Sequence, residues 1–199
     1  MLDMNLLALP AFNDNYIWVL DDGRNAIVVD PGDSAPVIAA SAVQHRTQTD
    51  ILVMRHHADD AGGLDGLRHL LNGEVFGPAR ESIAQPFVAL VDGLAFEVID
   101  VPGDVRVCCA HEYALANLKF ARTVEPHNAD LGACTHWCEM QRADSLPGFS
   151  SPIAQERSIN PFLRCGEPAV VQAARLHGAA NADETEVFSA LRQWKNDHR

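Results

Sequence analysis

Positive charge is scarce in this chain. Its 199 residues carry 15 Lys and Arg against 27 Asp and Glu, a formal net charge of −12. Nucleic-acid binding draws its affinity from Lys and Arg that neutralise phosphates, so a nucleic-acid partner is excluded. An anionic membrane surface is disfavoured on the same ground. Long apolar runs are also lacking: none reaches the roughly 20 residues needed to cross a bilayer. Met1-Leu2-Asp3-Met4 has none of the basic residues that open a secretory signal, so the expected location is the cytoplasm. Cysteine is sparse and odd in number: Cys108, Cys109, Cys134, Cys138 and Cys165. That count, with no signal segment, gives no disulfide framework. Cys134 and Cys138 lie four apart and share a helix face, which His136 does not. They read as free thiols on a half-buried helix.

What is present is a chain with 47% hydrophobic residues, enough to bury the core of one large domain or of a domain with a small appendage. Asn5–Leu9 and Tyr16–Asp21 read as short strands, Asp22-Gly23 as a turn and Asn25–Asp30 as a buried β-branched strand. Ala35–Ala42 reads as helix, Ile51–Met54 as a second buried strand, and Gly63–Leu71 as another helix. Strands alternating with helices place the first part of the chain in the α/β class. Val75–Gly77, Val88–Val91, Phe96–Val101 and Val105–Cys109 continue as strands. From His111 onward the pattern is helical. Ala114–Thr123 stops at Val124-Glu125-Pro126, and Asn128 is placed to cap Ala129–Arg142. A Ser/Pro/Gly-rich loop at Ser145–Pro152 precedes helices over Glu167–His177 and Glu184–Asn196.

The stretch richest in chemistry is Ile51-Leu52-Val53-Met54-Arg55-His56-His57-Ala58-Asp59-Asp60-Ala61-Gly62-Gly63. An apolar strand ends abruptly in His and Asp and turns through Gly-Gly, the layout of a metal site at a strand's C-terminal end. Imidazole and carboxylate suit Zn²⁺, Mn²⁺ or Fe²⁺. His56 reads as an ordinary strand-end histidine.

This stretch resembles the T-H-x-H-x-D-H signature of the metallo-β-lactamase fold, with Met54 at the Thr position, Arg55 at the first His, His57 at the second, Asp59 retained and Asp60 at the last His. Phe12-Asn13-Asp14-Asn15-Tyr16-Ile17-Trp18, Val29-Asp30-Pro31-Gly32-Asp33, Cys109-Ala110-His111-Glu112-Tyr113 and Asn160-Pro161-Phe162-Leu163-Arg164 resemble one branch of it, glyoxalase II or hydroxyacylglutathione hydrolase. The resemblance implies an αββα sandwich over residues 1–113, of mixed α/β class. A C-terminal helical substrate-binding domain would cover residues 114–199. The implied reaction is hydrolysis of a glutathione thioester, S-D-lactoylglutathione in the type case, to glutathione and D-lactate by metal-activated water.

In that family two zinc ions share the site. Mapped residue by residue, the resemblance leaves His57 for one ion and Asp59 and His111 for the other, with Asp60 able to ligate through oxygen. Arg55 cannot ligate, because its guanidinium has no free lone pair. The segment carrying a further His and a bridging Asp has no counterpart: Pro102-Gly103 runs directly into Asp104-Val105, a shortfall of roughly fifty residues. At most one ion is therefore expected, at Asp59, His111 and Asp60, with His57 joining only if the loop closes toward it. A second reading is a set of remnants that binds no metal. Asp59 would hold the ion or orient the water. Tyr113, Arg192 and Lys195 map to contacts with the glutathione carboxylates, and Arg192 and Lys195, three apart, share a helix face. Loss of strands from the second sheet predicts exposed core and self-association. The expectations are an impaired hydrolase or a non-catalytic relic of one.

Overall fold

The computed structural model describes residues 4–44, 47–91, 102–148 and 150–198. The chain divides into two compact units, Met1–Phe96 with Cys109–His111, and Glu97–Cys108 with Glu112–Arg199.

The first unit is built on a six-stranded sheet in the order β1 (Asn5–Ala11), β2 (Asn15–Asp21), β3 (Asn25–Val29), β4 (Thr47–Leu52), β5 (Val75–Pro78) and β6 (Val88–Leu90). Short polar turns make β1, β2 and β3 an antiparallel meander; β3 to β6 are parallel. The β3–β4 crossover is α1 (Ser34–Gln44). The β4–β5 crossover holds α2 (Ala58–Ala61), α3 (Leu64–Leu67) and a 3-10 turn at Arg68–Leu70. Alternation along the strands sets the two faces. Ile17, Val19, Val28, Ile51 and Val75 line one face and form a single core with Val37 of α1 and Leu64 and Leu67 of α3. The opposite face is apolar as well: Trp18 pairs across to Val29, Leu52 pairs with Phe76, and Phe76 with Val88.

Gly63–Leu71 is not one helix. Gly63 is the residue before α3, and a Cβ there would lie 2.5 Å from the Pro31 carbonyl oxygen. The chain must turn at that point because backbone meets backbone. Beyond α3, the Arg68 guanidinium reaches the carbonyls of Ala84 and Pro86 at 2.5 and 2.7 Å, and the helix tightens there.

In the second unit α4 (Ala114–Val124), α5 (Ala129–Ala143), α6 (Ile153–Ile159), α7 (Pro168–Leu176) and α8 (Glu184–Asp197) pack about two small cores. Asn128 caps α5 as its sequence position predicts, accepting from the amides of Asp130 and Leu131 at 3.0 and 3.3 Å. Two expectations change here. The strand read as Val105–Cys109 is only β7 (Arg106–Val107). Its partner is β8 (Ser151–Pro152), inside the segment read as loop. Arg106 fastens that pairing by donating to the Ser150 carbonyl at 3.0 Å. The expected strand at Phe96–Val101 lies outside the described residues.

Candidate metal and hydrolase site

The site forms where β4 ends. Asp30 closes β3 with φ +49, a conformation Asp tolerates better than most residues. Its Oδ1 accepts the Met54 amide at 2.7 Å, so a β3 side chain fixes the exit of β4. Gly32 is required beside it, since a Cβ there would fall 2.0 Å from the carbonyl oxygen of Asp59. The turn at Pro31-Gly32 and the His/Asp loop thus lie against each other backbone to backbone. His57 precedes α2, and its carbonyl accepts the amides of Asp60 and Ala61 at 3.0 and 2.9 Å. That single turn points Asp59 and Asp60 from one small arch.

Ligand-capable atoms of His57, Asp59 and Asp60 all lie within 4.8 Å of one another. His57 is exposed, Asp59 is half-buried, and Asp60 is 1% exposed. His111 arrives from Cys109–His111, which runs beside the start of β2. Trp18 Nε1 donates to the Cys109 carbonyl at 2.9 Å and the Tyr16 amide to Ala110 at 2.8 Å, and Asn15 bridges to His111. The His111 ring then lies between two carboxylates, 3.6 Å from Asp14 and 3.5 Å from Asp59. Asn15 also donates to Asp59, at 3.4 Å.

The electrostatics are dominated by acid. Burial works to raise the Asp59 carboxyl. Hydrogen bonds from its own amide and from Asn15, with the charges of His111 and Arg55, outweigh that and hold it low. Asp30 goes the other way: burial, reinforced by Asp60 and Asp59, pushes it up to about 6 against the Met54 hydrogen bond. Its Oδ2 is buried with no hydrogen-bond partner among the described residues. Arg55 reaches the two oxygens of Asp60, Nε to Oδ2 at 3.0 Å and Nη2 to Oδ1 at 3.3 Å. Bonding to Asp60 first, then the charges of Asp60, Asp59 and Asp30, raise the guanidinium further above its ordinary value. His56 turns away from the group. Its ring and its amide both engage Glu81, the amide at 3.0 Å.

This donor set suits one divalent ion, because imidazole and two carboxylates converge on a single arch. The structure brings His57 into the group with Asp59 and Asp60, and it places His111 against Asp59 rather than within the mutual set. Sequence reasoning gave no site role to Asp14, Asn15, Asp30 or Glu81. The first three sit in Phe12–Trp18 and Val29–Asp33, where polar residues crowd the ends of apolar strands; that crowding was the available signal.

In the second unit Tyr113 precedes α4, and the Asn117 amide donates to its carbonyl at 2.8 Å. Lys195 of α8 reaches that same turn through the side chain of Asn117 and lies 5.8 Å from the ring centres of Phe120 and Phe162. Burial first, and the charge of Arg192 second, lower the Lys195 ammonium. Cys134 and Cys138 are free and buried in the α5 core, and Cys138 donates to the Gly148 carbonyl at 3.1 Å.

Residues 112–198 match the family model described as hydroxyacylglutathione hydrolase C-terminus. Three bacterial proteins named hydroxyacylglutathione hydrolase align along the chain. That of Albidiferax ferrireducens is 40% identical over 253 residues, covering 97% of this chain and 99% of the relative. That of Ectopseudomonas mendocina is 36% identical over 250 residues, with 95% and 97% covered. That of Nitrosomonas europaea is 31% identical over 254 residues, with 98% and 97% covered. The chain belongs to the hydroxyacylglutathione hydrolase family, also called glyoxalase II. An alignment of 253 positions against a chain of 199 residues leaves more than fifty positions that this chain does not fill.

Proposed function

We propose that this chain is a reduced glyoxalase II: a glutathione-thioester hydrolase fold that holds at most one metal ion and turns over S-D-lactoylglutathione poorly or not at all. The carrying observation is the convergence of His57, Asp59 and Asp60 within 4.8 Å, in a chain of that family. The unfilled positions fall at the Gly103-Asp104 junction in this reading, and the αββα sandwich is completed only in part. The apolar second face of the sheet supports the sandwich, since a sheet with two apolar faces needs cover on both. In this reading residues 1–113 are the metal-bearing domain and residues 114–199 the substrate-binding one, a division by function that cuts across the second compact unit at Glu97–Cys108. The cytoplasm is the proposed site of action.

A divalent ion held by His57, Asp59 and Asp60 would supply Lewis-acid activation of water and polarise the thioester carbonyl. Asp59 holds that ion or orients the water, and His111 steadies Asp59 from 3.5 Å. Two carboxylates with imidazole favour harder ions such as Mn²⁺ over Zn²⁺. Tyr113, Arg192 and Lys195 bind the glutathione carboxylates. A partly desolvated ammonium strengthens such a contact, because the charge is less screened than at the open surface.

The test is metal content and turnover of the purified chain. At most one ion per chain is expected, lost in Asp59→Ala, weakened in His111→Ala and unchanged in His56→Ala. The expected kcat/KM lies well below the usual range of about 10⁴–10⁸ M⁻¹s⁻¹. Two ions per chain, or a rate constant within that range, would overturn the proposal. A second reading, a non-catalytic relic keeping part of a glutathione-conjugate pocket, draws support from Arg55 occupying Asp60. It predicts no stoichiometric ion and retained affinity for an S-alkylglutathione.

A further inference from the structure

We propose that Arg55 is a built-in counter-cation that takes the place of a metal ion at Asp60, so that the His/Asp loop folds without metal and Arg55 sets its affinity for one. The inference rests on the reading of His57, Asp59 and Asp60 as a donor set.

Asp60 is 1% exposed, and a buried carboxylate needs a compensating positive charge. In a metal-loaded loop that charge is the ion. Here it is Arg55, the last-but-one residue before His57: its Nη2 donates to Oδ1 at 3.3 Å, and its Nε lies 3.0 Å from Oδ2 as an ion pair, while Oδ2 has no hydrogen-bond partner among the described residues. His57, the neighbouring donor, stands 4.0 Å from Asp60 Oδ2, so guanidinium and imidazole face the same oxygen. Asp30 and Asp59 add to the acidic field on Arg55. Asp30 brings an oxygen without a hydrogen-bond partner among the described residues. Asp60 therefore holds the cation directly, and Asp59 and Asp30 act on it through their charges alone.

Two consequences follow for the loop. Without any ion, Arg55 keeps Asp60 compensated and the arch in place. With an ion, the guanidinium is a like charge only a few ångströms away, and the ion must displace it from Asp60 or give up that ligand. Arg55 itself is 45% exposed, so it has room to swing out, and it does so against the attraction of all three acids.

Arg55→Met removes the charge and keeps an unbranched side chain. In metal-free buffer with EDTA the variant should melt below the parent chain. Mn²⁺ or Zn²⁺ should restore the midpoint, and equilibrium dialysis should show the ion bound at least about tenfold more tightly than by the parent, which is modest for removing a like charge at such range. Arg55→Met with Asp60→Asn removes both charges together. It should melt close to the parent in EDTA and lose the gain in affinity. If the parent binds an ion and Arg55→Met binds it no better, the inference falls while the donor set stands. If neither binds Mn²⁺ or Zn²⁺, both fall. A variant left unfolded with and without metal also refutes the inference, because the ion should replace the lost charge.

Discussion

Asp30 shows how a single buried acid can tie the site to the fold. Its carboxyl is pushed up to about 6 by burial, while the unfolded chain releases that proton near 3.8. Folding therefore takes up a proton between those values. Stability falls as pH rises across that window, and the loss is complete above the folded value, amounting to roughly 3 kcal/mol at most. Asp30→Asn keeps an acceptor for the Met54 amide and removes the titration. Melting midpoints of parent and variant should diverge as pH rises from about 4 to about 7, with the variant higher at the upper end. Parallel pH profiles would refute this account of Asp30. That His57, Asp59 and Asp60 lie together could be read from the sequence, because their spacing at a strand end is local. The Arg55–Asp60 pair could not. Arg55 reads as a residue that fails to ligate, and only the arch of α2 shows that its fork reaches Asp60.

Among the elements, the segment Asn160–Arg164 works as a clamp. Asn160 accepts the Phe162 amide at 3.1 Å and opens a 3-10 turn at Pro161–Leu163. That turn delivers Arg164 to Glu125 at the end of α4, with bonds of 2.8 and 3.0 Å, and to the Arg157 carbonyl at 3.0 Å. Glu125 is 6% exposed, so removing it strands a half-buried guanidinium. Breaking a buried pair costs about 3–5 kcal/mol, which for a chain of this size lowers the midpoint by on the order of 10 °C. Glu125→Ala should show such a drop by calorimetry, with part recovered when Arg164→Met is added. A change under about 2 °C would mean the pair is not fully desolvated. The helices α4, α5, α7 and α8 were legible from apolar spacing and caps. Helix α6 was not, because Ser145–Pro152 reads as loop and Ile153–Ile159 shows no capping residue: Pro152 precedes it with no side-chain bond. The β7–β8 pairing escaped for a different reason. Strands of two residues carry no periodicity to read.

For the whole molecule the question is what covers the sheet's second face. Leu52 is 37% and Leu90 48% exposed, next to half-buried Val29, Phe76 and Val88. At about 25 cal/mol per Å², several hundred Å² of such surface is worth on the order of 10 kcal/mol, comparable with the net stability of a domain. The purified chain should therefore self-associate, as light scattering behind a sizing column would reveal. A monodisperse monomer with a high melting temperature would count against exposed core. The mixed direction of the sheet bears on the order of assembly. In β1, β2 and β3 each strand pairs with a partner a few residues away in sequence, and closing such short loops is fast. Strands β4 and β5 pair in parallel across the longer crossovers that hold α1, α2 and α3, which delays them. Val19→Ala should then slow refolding, while Val75→Ala should chiefly speed unfolding. The His/Asp loop, which waits for Asp30 to find the Met54 amide across the first parallel pairing, should be among the last parts of the unit to become protected from hydrogen exchange.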